Sequence, residues 1–285
     1  MNAPKRRDVS RICLISERVS GSNWLTSTLQ KNFPRQVATN CFTFKHWFQS
    51  PLDIRDRLQD GDIVIVNFRN ALDWILHLWR KPWNSSSHHN LTLEEFITKQ
   101  WMANPQIGFG ENQNTALHPG RHLSVTVEEN YSAFHDHYEK YKHIFGGDFP
   151  EGPIDNIMKL RAMKVDNFVR IKDWILSDPA WTPRVLFVRY EDLIAIGGQG
   201  MENFIKGLKT SYNFVNEKEE DVILNTYKGK GNQAINMTEF EARELYYTKN
   251  PESSIITPEV QNILLRHLDF EQEKKLGYHY EFLGP

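Results

Sequence analysis

Short, continuous apolar runs alternate along this chain with longer amphipathic stretches, the pattern of a parallel sheet covered by helices. The runs predict strands over residues 12–16, 36–42, 63–68 and 185–190. Between them, apolar positions recurring with helical period predict helices at 22–31, 52–58, 71–79, 93–101, 131–144 and 154–176. The last third, beyond Tyr190, reads as helical. Breaks fall at Gly197-Gly198 and at 228–232, and 104–110 reads as a loop. The expected architecture is one α/β domain over 1–285, with a central parallel sheet flanked by helices.

The most informative junction lies at its start, where the run 12–16 passes through Glu17-Arg18-Val19-Ser20-Gly21 directly into the helix that begins Ser22-Asn23-Trp24. The first N–H groups of a helix have no intrahelical partner, and with the positive end of the macrodipole they favour a phosphate or sulfate oxygen. A nucleotide triphosphatase loop would read Gly-x-x-x-x-Gly-Lys-Ser/Thr, and this segment has no such lysine. Arg18 is its one nearby cation. The competing reading is an ordinary serine or asparagine helix cap.

Composition narrows the field. The 285 residues are 40% hydrophobic and 25% charged, enough to build a full core. A formal net charge of -2 argues against a general nucleic-acid binder, which needs a basic surface, while leaving a single nucleotide open. No apolar stretch reaches transmembrane length, so no membrane partner is expected. Cys13 and Cys41 are too few for a disulfide framework and read as small buried hydrophobes, which points to a reducing, cytoplasmic setting. The Asn-x-Ser/Thr triplets at Asn84, Asn90 and Asn236 are then chance occurrences.

Two further segments fall at strand ends. Arg69 follows the run 63–68 at the edge where open α/β sheets bind ligands, and His77 lies two helical turns on, able to face the same side. An arginine fork there suits a second phosphate; alternatively Arg69 pairs with Asp73 at the helix start. Lys45 and His46 follow the second run at the same edge, and histidine is the side chain that can take a proton at neutral pH.

In this order the segments resemble those of the sulfotransferases that use 3′-phosphoadenosine 5′-phosphosulfate (PAPS). The turn Ser20-Gly21-Ser22-Asn23-Trp24 is similar to that family's 5′-phosphosulfate loop, and Arg69-Asn70-Ala71 with Asp73-Trp74 to its 3′-phosphate segment. The run 185–193, ending Arg189-Tyr190-Glu191-Asp192-Leu193, matches a further family strand. Glu17-Arg18, Lys45-His46-Trp47 and the closing 268–278 resemble a loosely characterised sulfotransferase-like branch. The resemblance implies a P-loop-like sulfotransferase fold and in-line transfer of a sulfuryl group without metal. It implies that residues 18–24 hold the 5′-phosphate and sulfuryl oxygens, with Tyr190 among the nucleotide-binding residues. Arg69 and His77 would serve the 3′-phosphate, Lys228, Gly229 and Lys230 would close over it, and His46 would be the general base.

Two departures stand out. The lysine that many relatives carry just before Ser-Gly is Val19 here, so the leaving phosphate needs another cation, Arg18 or Lys45. The serine expected eight positions after the arginine is His77. Trp47, Phe48, Trp79, Trp83 and Trp101 lie near the motif-bearing segments and offer walls for an apolar acceptor pocket. The expected acceptor is a hydroxyl or amine of a small molecule such as a metabolite or natural product, and the expected state a monomer or homodimer. The alternatives are a P-loop nucleotide kinase and a non-catalytic binder of PAPS or of its product, 3′-phosphoadenosine 5′-phosphate (PAP).

Overall fold

A computed structural model describes residues 10–42, 45–46, 48–49, 51–80, 82, 88–100, 154–194, 199–215, 222, 226–227, 235–236 and 256–281. Four strands, β1 (Ile12–Ser16), β2 (Val37–Ala38), β3 (Ile63–Phe68) and β4 (Arg184–Arg189), form a sheet in the order β2-β1-β3-β4 with every pairing parallel. Every residue of β1 and β3 is buried, which is why both read as apolar runs, with polar Ser16 and Asn67 only near their carboxyl ends. The expected α/β class with a central parallel sheet is therefore what the chain adopts.

Helices α1 (Ser22–Asn32), α2 (Pro51–Arg57), α3 (Ala71–Arg80), α4 (Leu93–Thr98) and α5 (Ile157–Leu176) follow the strands, with α6 (Tyr190–Ile194) and α7 (Gln199–Tyr212) after β4. A two-stranded antiparallel ribbon, β5 (Thr226–Tyr227) and β6 (Ile235–Asn236), precedes α8 (Pro258–Arg266) and α9 (Phe270–Lys275). Alternation along β1 sorts its side chains to the two faces of the sheet. Ile12 and Leu14 meet Leu25 and Leu29 of α1 with Met201 and Ile205 of α7. Cys13 and Ile15 meet Ile54 of α2 with Val165, Phe168 and Ile171 of α5. A third apolar cluster joins α3, α4, the start of α5 and α8.

The second strand is shorter than the expected 36–42. Thr39 and Asn40 are exposed, and Cys41 and Phe42 turn back into the core against α2 and α5. That return corrects the reading of the cysteines, because Cys41 is disulfide-bonded to Cys13, 28 residues away in sequence. Burial of both was expected, but as free thiols; β2 lies beside β1, and the chain leaving it passes within bonding reach of the middle of β1. The inference of a reducing compartment loses its basis. No helix among the described residues is long and apolar enough to cross a membrane. The expected helix 131–144 and the glycine-rich segment with Lys228, Gly229 and Lys230 lie outside the described residues, as do Trp47, Trp83 and Trp101.

Candidate anion site at the carboxyl edge of the sheet

Ser16 at the end of β1 is the register partner of Asn67 in β3, so the segments leaving these strands start side by side. The chain runs outward from β1 to β2 and then returns past β1 to β3. Such a reversal of strand order opens the crevice in which sheets of this kind bind ligands.

Residues 17–21 form a loop whose carbonyls are drawn into the protein. Ser20 Oγ donates to the Glu17 carbonyl at 2.6 Å, Trp74 Nε1 to that of Arg18 at 2.9 Å, Arg69 Nη1 to that of Val19 at 2.9 Å, and Asn67 Nδ2 to that of Ser20 at 2.6 Å. A trans peptide sets N–H opposite C=O, so four successive inward carbonyls turn the donor side of the loop outward. The curvature comes from two left-handed residues, Val19 with φ 54° and Gly21 with φ 79°. Only glycine fits at 21, because a Cβ there would overlap the Tyr190 ring. Gly21 is also the N-cap of α1 and provides no side-chain cap.

The start of α3 is the opposite case. Ala71 N donates to the Tyr280 hydroxyl at 2.8 Å, Leu72 N and Asp73 N to Asn70 Oδ1, and Trp74 N to the Asn70 carbonyl. Asn70 is thus the cap, and Arg69 is not needed for that task. With its own N–H groups consumed, α3 has only side chains left to offer an anion. Arg69 is 5% exposed, stacks over the Tyr190 ring at 4.7 Å, and has a buried Nε with no hydrogen-bond partner among the described residues. Arg69 Nη2 lies 3.4 Å from His77 Nε2, while His77 Nδ1 is 2.9 Å from the Asp73 carbonyl. A neutral His77 satisfies both contacts, with Nδ1–H donating and Nε2 accepting. Burial and the Arg69 charge push it down to about 3, although the Asp73 carbonyl works the other way. His77 therefore orients Arg69.

Lys45 and His46 arrive over the end of β1, where Ser16 N donates to the Lys45 carbonyl at 2.8 Å. Lys45 Nζ donates to Asn23 Oδ1 at 3.0 Å and so stands at the first turn of α1. His46 Nδ1 is 2.9 Å from the Ser16 carbonyl and 3.2 Å from Ser16 Oγ. The carbonyl can only accept, which places the proton on Nδ1 and the lone pair on Nε2. Burial first, then Lys45, push His46 down to about 3; the Ser16 carbonyl opposes them, and Lys164 and Arg18 add to the lowering. Three cations thus surround one neutral imidazole. Burial lowers Arg18 to about 10 and also lowers Lys45.

Val19, in the place of the resembling family's lysine, packs partly against the apolar cluster of α3 and α4. Its side chain is spent on the core, and Lys45 reaches the helix start from another segment. Tyr190 and Trp24 meet edge to face with ring centroids 6.2 Å apart, and Ser22 is buried in the first turn of α1. Residues 18–24, Lys45, His46, Arg69, His77 and Tyr190 are accordingly gathered at one edge of the sheet.

Several residues at this edge escaped the sequence reading. Arg161 of α5 is fully buried: it is ion-paired to Glu17, donates to both oxygens of Glu273 at 2.8 and 3.2 Å, and donates to the Arg69 carbonyl at 2.9 Å. Burial opposes its charge, but Glu17 and Glu273 outweigh that and hold it protonated. Burial raises Glu17 to about 7 against Arg161 and Lys164, and lowers Lys164 to about 8 against the pull of Glu17. About two turns of α5 carry Arg161, Lys164 and Asn167 at a spacing of three, and Asn167 exchanges two hydrogen bonds with the Gln49 backbone. Polar residues at that period on a buried helix stripe were the available signal.

No family model matches the chain, and neither the curated proteins nor the solved structures contain a match to it.

Proposed function

We propose that the chain is a PAPS-dependent sulfotransferase of the P-loop-like α/β fold, acting on a hydroxyl or amine of a small-molecule acceptor. The observation that carries the reading is the loop 17–21, whose carbonyls face inward at a helix start with Arg69 and Lys45 beside it. Two anion-binding positions so close together suit a nucleotide phosphorylated at both ends better than one with a single phosphate chain.

In this reading the outward N–H groups and the first turn of α1 hold the 5′-phosphosulfate, and Arg69, oriented by His77, pairs with the 3′-phosphate. The acceptor oxygen or nitrogen attacks sulfur as the bond from sulfur to the 5′-phosphate oxygen breaks. The electron pair leaves with PAP, and the acceptor's proton passes to Nε2 of His46. Burial and the nearby cations hold that imidazole neutral in the free protein, and its basicity rises once the anionic donor offsets the cations. Lys45 meets the charge that grows on the leaving phosphate.

The test compares thermal stabilisation by PAP, 5′-AMP and ATP, since a ligand bound only by the native state raises stability by mass action. PAP is expected to stabilise most, and Arg69→Ala to remove that preference. Equal stabilisation by PAP and 5′-AMP would falsify the reading, while magnesium-dependent ATP turnover would revive a kinase. His46→Ala is expected to keep PAP binding and lose transfer. PAP binding by the wild type without transfer to any acceptor would identify a silent binder.

A further inference from the structure

The closing segment of the chain, α9 and the residues to Tyr280, carries no group assigned above to the donor or acceptor, yet it reaches the Arg69 strand end by three routes. Each route ends on a backbone group of three consecutive residues. Arg161 Nη2 holds the Arg69 carbonyl at 2.9 Å, and its other nitrogens are fixed by Glu273 and Glu17. Asn70 N donates to Glu191 Oε1 at 3.0 Å, and the opposite oxygen of that carboxylate accepts from the Tyr278 hydroxyl at 2.8 Å. Ala71 N donates to the Tyr280 hydroxyl at 2.8 Å, and that hydroxyl donates onward to Glu273 Oε2 at 3.2 Å.

We propose that Glu273, Tyr278 and Tyr280 are positioning residues that set the selectivity of the Arg69 site for a 3′-phosphorylated nucleotide, acting through the backbone of residues 69–71. The proposal rests on the donor reading above. Its physical basis is that the Arg69 side chain leaves from a backbone with few ways to shift: the carbonyl of 69 and the N–H groups of 70 and 71 are each pinned from outside the strand. Arg161 lies over the Trp74 ring at 5.0 Å, and Trp74 Nε1 holds the Arg18 carbonyl, so the same tie reaches the 5′ end of the site. Loss of the Tyr280 hydroxyl removes one pin outright, and loss of the Tyr278 hydroxyl releases the Glu191 carboxylate that forms another; either lets the guanidinium sample positions out of register with the 3′-phosphate. A misplacement of this kind weakens a charged hydrogen bond without removing any group that touches the nucleotide.

The experiment measures dissociation constants for PAP and 5′-AMP in the wild type, Tyr280→Phe and Tyr278→Phe, with Leu208→Ala as a control. Leu208 lies in the core on the α1 and α7 side, in a cluster that contains none of residues 69–71 or the closing segment, so its truncation lowers stability without loosening the three routes. The PAP to 5′-AMP affinity ratio is expected to fall about fivefold in each tyrosine variant, the worth of one hydrogen bond, and to stay unchanged in the control. A wild type that does not prefer PAP defeats the donor reading itself. A wild type that prefers PAP, with ratios retained within about twofold in both tyrosine variants, overturns this proposal alone. So does an equal fall in Leu208→Ala, which would tie selectivity to global stability.

Discussion

Lys45 reaches across from the segment after β2 to Asn23 in the first turn of α1, with Nζ 3.0 Å from Oδ1. A cation at a helix N-terminus is repelled by the macrodipole and is normally a poor choice. Here Asn23 holds it, and an arriving anion would be attracted by both. Lys45→Met is therefore expected to lower the rate of sulfuryl transfer about a hundredfold, with a smaller loss of PAP affinity. Steady-state kinetics beside a PAP titration separates the two effects. Near-normal turnover in the variant would move the role to Arg18.

Tyr190 closes over Gly21 and leaves no room for a side chain at that position. Gly21→Ala combines this overlap with a left-handed backbone that alanine adopts reluctantly, so the loop must shift. The expected outcome is a loss of about 1–3 kcal/mol of stability together with the loss of stabilisation by PAP. Thermal melts with and without nucleotide give both readings. Full PAP stabilisation in Gly21→Ala would show that the loop tolerates a side chain there.

The Cys13–Cys41 bond ties β1 to the segment that continues to Lys45 and His46. Closing a loop of this length stabilises the folded state by about 3.5 kcal/mol in the chain-entropy account. Cys41→Ser should lower the urea midpoint by a corresponding amount, and a reductant should shift the wild type toward the variant. Thiol titration of the unfolded protein counts the free cysteines directly. Two free thiols under non-reducing conditions would contradict the bond.

Much of the sheet was legible because its central strands are buried on both faces and are apolar except for Ser16 and Asn67 near their ends; 12–16 and 63–68 coincide with β1 and β3. The second strand was overextended because Cys41 and Phe42 are apolar for the sake of the core beneath α2 and α5 and not for pairing. At the site, residues next to strand ends could be named from local order alone. What local order cannot show is contact over distance: Arg161 meets Glu17 across 144 residues, and Tyr280 meets Ala71 across 209. The disulfide was missed for the same reason, since pairing of two cysteines depends on where β2 sits beside β1.

The two neutral histidines of the site should write themselves into the pH dependence of stability. His46 and His77 are both pushed down to about 3 by burial and by neighbouring cations, from an ordinary value of 6.5. Between those values the unfolded chain binds a proton at each imidazole and the folded chain does not, so stability rises with pH and levels off above 6.5. Glu17 acts in the opposite sense: raised from 4.5 to about 7, chiefly by burial, it binds its proton in the folded chain first and removes stability as pH rises through that range. Two protons against one leave stability rising with pH between 4.5 and 6.5, with a net slope on the order of 1 kcal/mol per pH unit. Urea unfolding at about pH 5 and about pH 6.5 should therefore differ by roughly 2 kcal/mol, with the protein weaker in acid. Glu17→Gln removes the opposing group and should about double the slope, whereas His77→Gln should nearly flatten it. A wild type and a Glu17→Gln variant that are both insensitive over this range would mean that neither imidazole is held neutral by its surroundings.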